Sequence, residues 1–424
     1  MRHRWLLCLP MGLFIASICG AEFQVNTHTA NDQKSAGIAM GRSGDFIVVW
    51  SSYLQDGSSN GIFARRFDPN CSPLGEEIQI NTTTAGNQTE PAVAMDAAAG
   101  FVVAWQGPGL TDAGEDIFLR RFDPNGLPLG DEFCADYAAD AQICPSVAVN
   151  ADGTFAVVWE SVNLPLAGDR SICGRLYDSN GVELGGELVI SETPAVCRYP
   201  NIAADTNGNF AVAWMEDGSS NSVVARLFNA DGFARGEAFE VSTIAFSSVT
   251  KPSIAMDDLG FFVVAWDGDP NLAGQDDIHA RLFDPNGTPL GEQFVVNTAL
   301  DGAQQYPQAA MNGHGEFIIV WESRTTNPND GNARDIFGRR FDNLGQPVGD
   351  QFQVNTFTEG EQRNSAVRMS DNGRFVAVWQ SDAQDGSRFG IFGETGPKLD
   401  PADFNGDEQD LAEFRRQWLM GPGR

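Results

Sequence analysis

The chain has 424 residues, with 57 acidic against 27 basic side chains and a formal net charge of −30. This excess of carboxylates repels phosphate backbones, so the composition excludes nucleic acid as a partner. Because 42% of the residues are hydrophobic and 10% are aromatic, the chain can build a core, and its acidity does not predict disorder.

The first 21 residues have the layout of a secretory signal peptide. Arg2 and Arg4 precede an apolar run over residues 5–19, and small residues end the segment at Ala21. We therefore expect residues 1–21 to be removed and the product to be secreted, to an extracellular, periplasmic or cell-surface location. No later segment has the roughly 18 consecutive apolar residues of a membrane helix, so we expect no membrane span.

Seven tryptophans recur at spacings of 52 to 58 residues. Each ends a short apolar run, such as residues 46–50 (FIVVW), and each run is bounded by turns that contain glycine. Such runs are typical of buried strands, and the constant period indicates seven repeats. The tryptophans are Trp50, Trp105, Trp159, Trp214, Trp266, Trp321 and Trp379.

Three further segments in each repeat have strand character. One precedes the tryptophan run, as at residues 91–95 (PAVAM), and one follows it, as at residues 62–67 (IFARRF). A turn such as residues 123–126 (DPNG) then leads to a fourth segment, and its proline and glycine favour a hairpin. Four antiparallel strands per repeat predict an all-β fold, a seven-bladed β-propeller.

The two ends of the repeat region are complementary. Residues 23–26 (FQVN) have the pattern of a fourth strand but precede any complete repeat, whereas the last repeat stops after its third strand at residues 391–395. We therefore predict that the N-terminal strand completes the last blade, in one propeller domain over residues 22–396. Such closure would leave no exposed strand edge at the seam.

The repeats resemble a group of secreted bacterial repeat proteins with the signature D-G-S-x-x-G-I-F-A-R-R-F-D-x-x-G-x-x-x-G-x-x-F-Q-V-N-T. The signature is visible here over residues 56–81. The resemblance covers nearly all of the chain after residue 21. It implies a propeller-like fold and an extracellular setting, and it implies no particular reaction.

Five cysteines follow the signal segment, and an exported compartment permits disulfides. We favour the pairs Cys134–Cys144 and Cys173–Cys197 because they close the two shortest loops, although the sequence leaves the connectivity open. Cys71 is left over, either as a free thiol or in another pairing.

Two residue types recur too regularly to mark one binding site. We expect the tryptophans to pack between blades rather than to serve as platforms for sugars. The third strands carry an arginine in six repeats and Glu394 in the seventh, and we expect these arginines to form inter-blade ion pairs or to lie along the surface. The arginines are Arg65, Arg120, Arg175, Arg226, Arg281 and Arg339.

Acidic residues provide the only candidate for catalysis. Glu160, Asp267 and Glu322 directly follow the tryptophan in three repeats, and pairs of carboxylates can cleave glycosidic bonds. The loops between the second and third strands are also acidic, which fits either a solvated rim or, as the less favoured alternative, a Ca²⁺-binding face.

Residues 397–424 form a linker and a tail that resembles half of a dockerin-type, EF-hand-like calcium repeat. Asp403, Asn405 and Asp407 match the first, third and fifth ligand positions, and Glu413 matches the twelfth after one deletion. The deletion and the missing loop glycine predict weak Ca²⁺ binding or none. A single copy argues against docking to a cohesin, and a short helix is expected to follow the loop.

The sequence as a whole favours a secreted, non-catalytic binding or scaffold propeller for extracellular glycan or protein ligands. The alternative is a propeller hydrolase or lyase that acts on an extracellular polysaccharide. An enzyme should break the sevenfold pattern with a polar cluster in one axial pocket, whereas a scaffold should keep its loops nearly equivalent.

Overall fold

A computed structural model describes residues 22–396, apart from the segments 111–113, 137–140, 163–169, 219–220, 244–245, 247–250, 270–274, 300–301 and 325–333. The predicted signal peptide (1–21) and the predicted helical tail (397–424), with Asp403, Asn405, Asp407 and Glu413, lie outside the described residues. Within the described part, no helix is long and apolar enough to cross a membrane.

The described residues form β-strands only, grouped into seven antiparallel sheets of four strands each. In the first half of the chain the strands are β1 (Phe23–Gln24), β2 (Gln33–Met40), β3 (Phe46–Tyr53), β4 (Asn60–Phe67), β5 (Ile78–Gln79), β6 (Thr89–Met95), β7 (Phe101–Pro108), β8 (Glu115–Phe122), β9 (Phe133–Cys134), β10 (Ala141–Val149), β11 (Phe155–Val162), β12 (Arg170–Tyr177), β13 (Leu188–Val189) and β14 (Val196–Ala204). In the second half they are β15 (Phe210–Asp217), β16 (Ser222–Phe228), β17 (Phe239–Glu240), β18 (Ser253–Met256), β19 (Phe262–Gly268), β20 (Asp277–Phe283), β21 (Phe294–Val295), β22 (Gln304–Met311), β23 (Phe317–Ser323), β24 (Asp335–Phe341), β25 (Phe352–Gln353), β26 (Gln362–Met369), β27 (Phe375–Asp382) and β28 (Phe389–Gly396).

Each sheet is one propeller blade, and its strands follow chain order from the axis outwards. Blades 1 to 6 are β2–β5, β6–β9, β10–β13, β14–β17, β18–β21 and β22–β25. Blade 7 combines β26, β27 and β28 with the N-terminal strand β1. The prediction of a seven-bladed, all-β propeller is therefore confirmed.

Main-chain pairing of the N-terminal strand closes the ring. Phe23 lies opposite Gly393 in the register, and the Val25 N–H donates to the Ile391 carbonyl at 2.8 Å. The side chain of Asn26 adds a second bond, because its Oδ1 accepts the Ile391 N–H at 2.7 Å. The predicted closure of the last blade by residues 23–26 is thus confirmed.

The same asparagine bond recurs in other blades and explains the recurrent ending of the repeat signature within this chain. The Oδ1 atoms of Asn81, Asn297 and Asn355 accept the N–H groups of Ile62, Ile278 and Ile336 at 2.7 to 2.8 Å. Each bond ties the segment after an outermost strand to the third strand of its blade. It thereby satisfies a buried backbone donor that would otherwise be costly.

The recurrent tryptophans form the core between blades, as expected. All seven are at most 1% exposed. Trp266, for example, packs in one cluster with Ala213 and Val223 of the preceding blade. Burial at every blade boundary makes these side chains parts of the core rather than a ligand surface.

Blade 7 departs from the other blades at the end of its third strand. In blades 1 to 6, the phenylalanine that begins the second strand stacks on the last aromatic residue of the third, with ring centroids 4.8 to 5.0 Å apart. In blade 7 this second aromatic residue is replaced by Gly396, and a Cβ atom there would lie 1.7 Å from Cε1 of Phe375. Only glycine leaves room for the Phe375 ring.

Five of the recurrent arginines donate to backbone carbonyls of the neighbouring blade, and two of the six form the expected inter-blade ion pairs. Arg65 donates to the Val25 carbonyl of the neighbouring blade at 3.0 Å, and its guanidinium lies 5.7 Å from the ring centroid of Phe67. Arg120, Arg226, Arg281 and Arg339 make the corresponding contacts to carbonyls at 2.8 to 3.2 Å. Arg175 instead pairs with Asp136 of the preceding blade and with Glu183 of its own blade, and Arg226 also pairs with Glu192 of the preceding blade at 3.0 Å.

The five described cysteines are all free thiols, so the expected disulfides are not formed. Loop length was a poor guide because the propeller separates residues by their distance from the axis. Cys134 lies on the outermost strand of blade 2, whereas Cys144 lies on the innermost strand of blade 3. Cys173 and Cys197 likewise belong to different strands of different blades.

Candidate functional site

The innermost strands of the blades surround a cavity of about 470 Å³ on the propeller axis. This volume falls within the range of pockets that bind small ligands. The lining comes from the first strands of all seven blades, so the cavity is a product of the whole ring.

A β-bulge brings one residue from each of six blades to one end of this cavity. The register shifts near the start of β2, β6, β10, β14, β22 and β26, and such bulges redirect a side chain. Lys251 holds the equivalent position in blade 5. The seven residues, here called the ring, all line the cavity and are Ser35, Glu90, Cys144, Tyr199, Lys251, Tyr306 and Asn364.

The backbone of the ring is strained. Every ring residue except Lys251 has a positive φ, between 49° and 56°. That region costs a non-glycine residue about 1–3 kcal/mol, and the proline that follows Glu90, Cys144, Tyr199 and Tyr306 disfavours it further. The surrounding sheet therefore holds these side chains in place against a local preference.

Side chains of neighbouring blades stabilise this conformation. In five blades, the side chain of the residue directly after the core tryptophan accepts the N–H of the ring residue in the next blade, and we call these acceptors the bracing residues. In blade 1 the residue at this position is Ser51, whose hydroxyl donates to the Lys34 carbonyl instead. Their bonds are Gln380 to Ser35 (3.2 Å), Gln106 to Cys144 (3.0 Å), Glu160 to Tyr199 (3.3 Å) and Glu322 to Asn364 (2.7 Å), with Asp267 accepting from Tyr306. Before Lys251 the bracing position holds Met215, which has no oxygen, and Lys251 is not strained.

The three carboxylates considered as catalytic candidates are thus bracing residues. Glu160, Asp267 and Glu322 are at most 1% exposed and do not belong to the described cavity lining. Glu160 is paired with Arg170, and Glu322 with Arg334 at 2.7 Å. Burial raises the pKa of Glu322, and burial followed by the charge of Asp276 holds the pKa of Asp267 well above its usual range.

The cavity is rich in cations although the chain is strongly acidic. Its charged lining residues are Glu90, Lys251, Arg334, Arg363 and Arg368. Lys251 reaches from blade 5 to blade 2, where its Nζ lies 3.5 Å from Oε2 of Glu90. Burial lowers the pKa of Lys251, but the charge of Glu90 raises it, and the net shift is upward. Lys251 is therefore a stable ammonium group at the cavity mouth.

Both ring tyrosines lie beside a cation. The ammonium of Lys251 is 5.5 Å from the ring centroid of Tyr199, and the guanidinium of Arg334 is 5.6 Å from that of Tyr306. The mouth thus presents aromatic faces next to hydrogen-bond donors. Burial raises the pKa of Cys144 to about 11, so this ring residue is a thiol at neutral pH and not a nucleophilic thiolate.

An ion-paired arginine spans the axis at the opposite end. Arg42, in the first turn of blade 1, pairs with Asp258 of blade 5 at 2.7 Å and with Asp371 of blade 7 at 3.4 Å. Together with the pair of Lys251 and Glu90, it connects distant blades across the cavity.

No described group of three or more His, Cys, Asp or Glu side chains could hold a metal ion. In the described loops, carboxylates shape their own turns, as where Asp56 accepts the Ser58 N–H and Asp385 accepts the Ser387 N–H. The loop residues Asp112, Asp169 and Asp330 lie outside the described residues.

The ring was not predicted from the sequence, although one signal pointed to it. Five repeats place a proline directly after the ring position, and the residue before that proline is Glu, Cys, Tyr, Lys or Tyr. The first strand was predicted to begin at the proline, as at residues 91–95, so the variable residue before it was not included in the strand. Variation at one position of a regular repeat was the useful clue.

Comparison with known proteins shows likeness in fold alone. No protein-family model matches the chain, and no curated protein matches it. Among solved structures, the polysaccharide lyase Uly1 is similar with a TM-score of 0.54 at 9% identity, over 88% of this chain and 91% of that chain. A protein of unknown function from Dyadobacter fermentans gives 0.52 at 9% identity, over 89% and 98%. A fungal alcohol oxidase of the AA5 family, in complex with copper, gives 0.50 at 13% identity, over 92% and 79%.

Proposed function

We propose that the protein is an exported binding propeller that takes a saccharide into its axial cavity, with the ring as the recognition surface. One observation carries this proposal: seven equivalent positions hold six different residue types, while the tryptophans around them do not vary. The core positions repeat one residue, so the variation separates the ring from the packed core. Strained backbone at such varied positions is typical of sites that bind or react.

The chemistry of the ring favours a sugar over a fully apolar ligand. Tyr199 and Tyr306 are half-buried, so each offers part of an aromatic face and a hydroxyl group to the cavity. Ser35 and Asn364 add small polar groups, and Lys251 adds a cation. Apolar faces flanked by a few oriented polar groups suit a pyranose ring, which has CH faces and hydroxyl edges.

The setting outside the cytoplasm is part of the proposal and rests on residues 1–21. Arg2 and Arg4 before an apolar run have the order of a signal peptide. An extracellular protein ligand is the competing occupant of the ring, and the experiment below separates the two.

A glycan array with tyrosine variants tests the proposal. We expect the chain to bind a defined set of polysaccharides, and Tyr199→Ala and Tyr306→Ala to weaken that binding at least about tenfold, since each removes an aromatic contact in the cavity. Phe233→Ala is the matched control, because Phe233 is an aromatic residue of blade 4 that is 71% exposed and lies outside the cavity lining. Melting temperatures of all three variants show whether the fold survives.

Two results would overturn the proposal. One is glycan binding that is unchanged in both tyrosine variants. The other is an empty array together with a protein ligand whose binding depends on the ring.

Cleavage of a polysaccharide is the second candidate function. Glu90, Lys251 and the two tyrosines are side chains able to transfer protons, and they share one cavity. The fold likeness to a polysaccharide lyase fits this alternative. Glu160, Asp267 and Glu322 would support such chemistry only from behind the ring. New reducing ends or unsaturated products from wild-type protein, absent with Tyr306→Phe, would establish an enzyme.

We also propose weak Ca²⁺ binding by the tail, through Asp403, Asn405, Asp407 and Glu413. The proposal rests on their spacing, which resembles a calcium loop with one residue deleted. Calorimetry should give a dissociation constant on the order of 10⁻⁴–10⁻³ M, lost in Asp403→Ala. Micromolar affinity would contradict this expectation, and the absence of any heat at millimolar Ca²⁺ would leave the tail as a packing or sorting helix.

A further inference from the structure

One residue inside the cavity breaks the sevenfold pattern more sharply than the ring does. Arg368 lines the cavity from β26, opposite Val376 in the strand register. The six other blades place a small residue at this register position, and those residues are Ala39, Ala94, Ala148, Ala203, Ala255 and Ala310. Blade 7 therefore carries a long guanidinium side chain at a position where the six other blades repeat alanine, and this side chain alone among the seven lines the cavity.

Arg368 lies deep in the cavity relative to the ring. It follows the ring residue Asn364 by four positions on the same strand, which is roughly 13 Å of strand length. Along the inner strands, the position of Arg368 therefore lies between the ring at one end of the axis and Arg42 at the other. A ligand held at the ring could thus extend a charged group towards Arg368.

No carboxylate of the described chain neutralises this guanidinium. Its Nη1 donates a hydrogen bond to the adjacent Val367 carbonyl at 2.8 Å. Burial lowers the pKa of Arg368, with no neighbouring charge to oppose the shift. The other lining cations differ, because Lys251, Arg334 and Arg363 are each paired with a glutamate.

The described cavity lining offers no free carboxylate to Arg368. Of the described lining residues, Glu90 alone carries a carboxylate, and it already contacts Lys251 and the Ser35 hydroxyl. The lining also contains Ser365, whose buried Oγ has no hydrogen-bond partner in the described chain. Arg368 is half-buried and lacks an ionic partner among the described residues, so an anion from outside the chain would stabilise its charge.

We propose that Arg368 is the anion-recognition site of the cavity and that the bound saccharide is acidic, with its carboxylate or sulfate group held by the guanidinium. This inference rests on the proposed function and names the class of its ligand. The planar guanidinium suits both groups, because two parallel N–H donors can bond two oxygens at once. The hydroxyl of Ser365 supplies a further donor on the same strand.

Small sugars that differ only in charge test the inference with the full chain. Calorimetry or NMR titration would compare D-glucuronate, D-glucose 6-sulfate and neutral D-glucose. We expect at least one anionic sugar to bind more tightly than glucose, and Arg368→Met to weaken that binding at least about tenfold, as for the loss of a charge-assisted bond. Arg368→Lys keeps the charge but not the paired donors and should give an intermediate loss.

Arg42→Met is the control, because Arg42 is an arginine near the same axis whose charge is already paired with two aspartates. It should bind the anionic sugars as the wild type does. Binding that is equal in Arg368→Met and wild type would overturn the inference, as would a wild type that prefers neither anionic sugar to glucose. If inorganic sulfate binds to the wild type while no sugar does, the saccharide assignment falls as well.

The array result for the tyrosine variants is independent of these outcomes. Neutral glycans that bind through Tyr199 and Tyr306 would uphold the proposed function even if Arg368 has no role.

Discussion

Glu394 should make the stability of the propeller fall between mildly acidic and neutral pH. It stands on β28 where six other blades carry an arginine, and it is fully buried. No described cation forms an ion pair with it. Burial, with the charge of Glu22 adding to it, raises the pKa of Glu394 to about 7.

The sign and the size of the effect follow from the two pKa values. A glutamate that is free in water, as in the unfolded chain, has an ordinary pKa of 4.5. Below that value Glu394 is protonated in both the folded and the unfolded chain, and its contribution to the free energy of unfolding is at its maximum. As pH rises, the unfolded chain ionises first, so the contribution is lost up to about pH 7. A difference of about 2.5 between the two pKa values corresponds to roughly 3 kcal/mol.

Urea unfolding of wild type and Glu394→Gln, followed by tryptophan fluorescence, measures the effect. The glutamine cannot ionise, so the wild type should lose roughly 3 kcal/mol relative to the variant between about pH 4.5 and pH 8. Glu240→Gln, at an exposed position of β17, should show no such relative change. Parallel pH profiles for wild type and Glu394→Gln would refute the reasoning.

Three further predictions concern the stability of the propeller. Trp214→Ala should cost about 3–5 kcal/mol because it empties a fully buried inter-blade site; a variant that unfolds at the wild-type urea concentration would contradict the packing role. Deletion of residues 22–27 removes β1 and the buried Val25, so the melting temperature should fall sharply and aggregation should increase; an unchanged melting curve would argue against ring closure. Gly396→Ala should lower the free energy of unfolding by about 1–3 kcal/mol, since the new methyl group would force the Phe375 ring to move. Gly130→Ala is the control, because its methyl group would meet open space and should cost far less. Gly386→Ala is not a fair control, because a φ of +84° strains any residue other than glycine.

The sequence was sufficient to predict the architecture because the residues that recur in every repeat are those that pack in the core. A tryptophan at every blade boundary fixes the number of blades, and the FQVN segment at residues 23–26 fixes how the ring closes. Both features depend on local patterns that recur without change. The fold is therefore readable from one sequence.

The site was harder to predict because it depends on residues that deviate from the repeat and on how far each residue lies from the propeller axis. Tyr199 and Tyr306 stand before prolines in strained bulges, and no propensity rule predicts a positive φ there. Glu160 and Glu322 looked like catalytic acids, but the geometry uses them to accept backbone N–H groups of the next blade. Arg368 becomes visible only when the seven first strands are aligned on a common register.

The central claim is that the ring at the cavity mouth contacts the saccharide. The chain has five tyrosines, and two of them, Tyr199 and Tyr306, belong to the ring, so NMR of protein with fluorine-labelled tyrosine tests the claim most directly. On addition of a glycan identified by the array, we predict that the signals of Tyr199 and Tyr306, assigned by single Tyr→Phe variants, shift together, while that of the buried Tyr177 stays in place. Saturated glycan binding that leaves both ring signals unchanged would contradict the account.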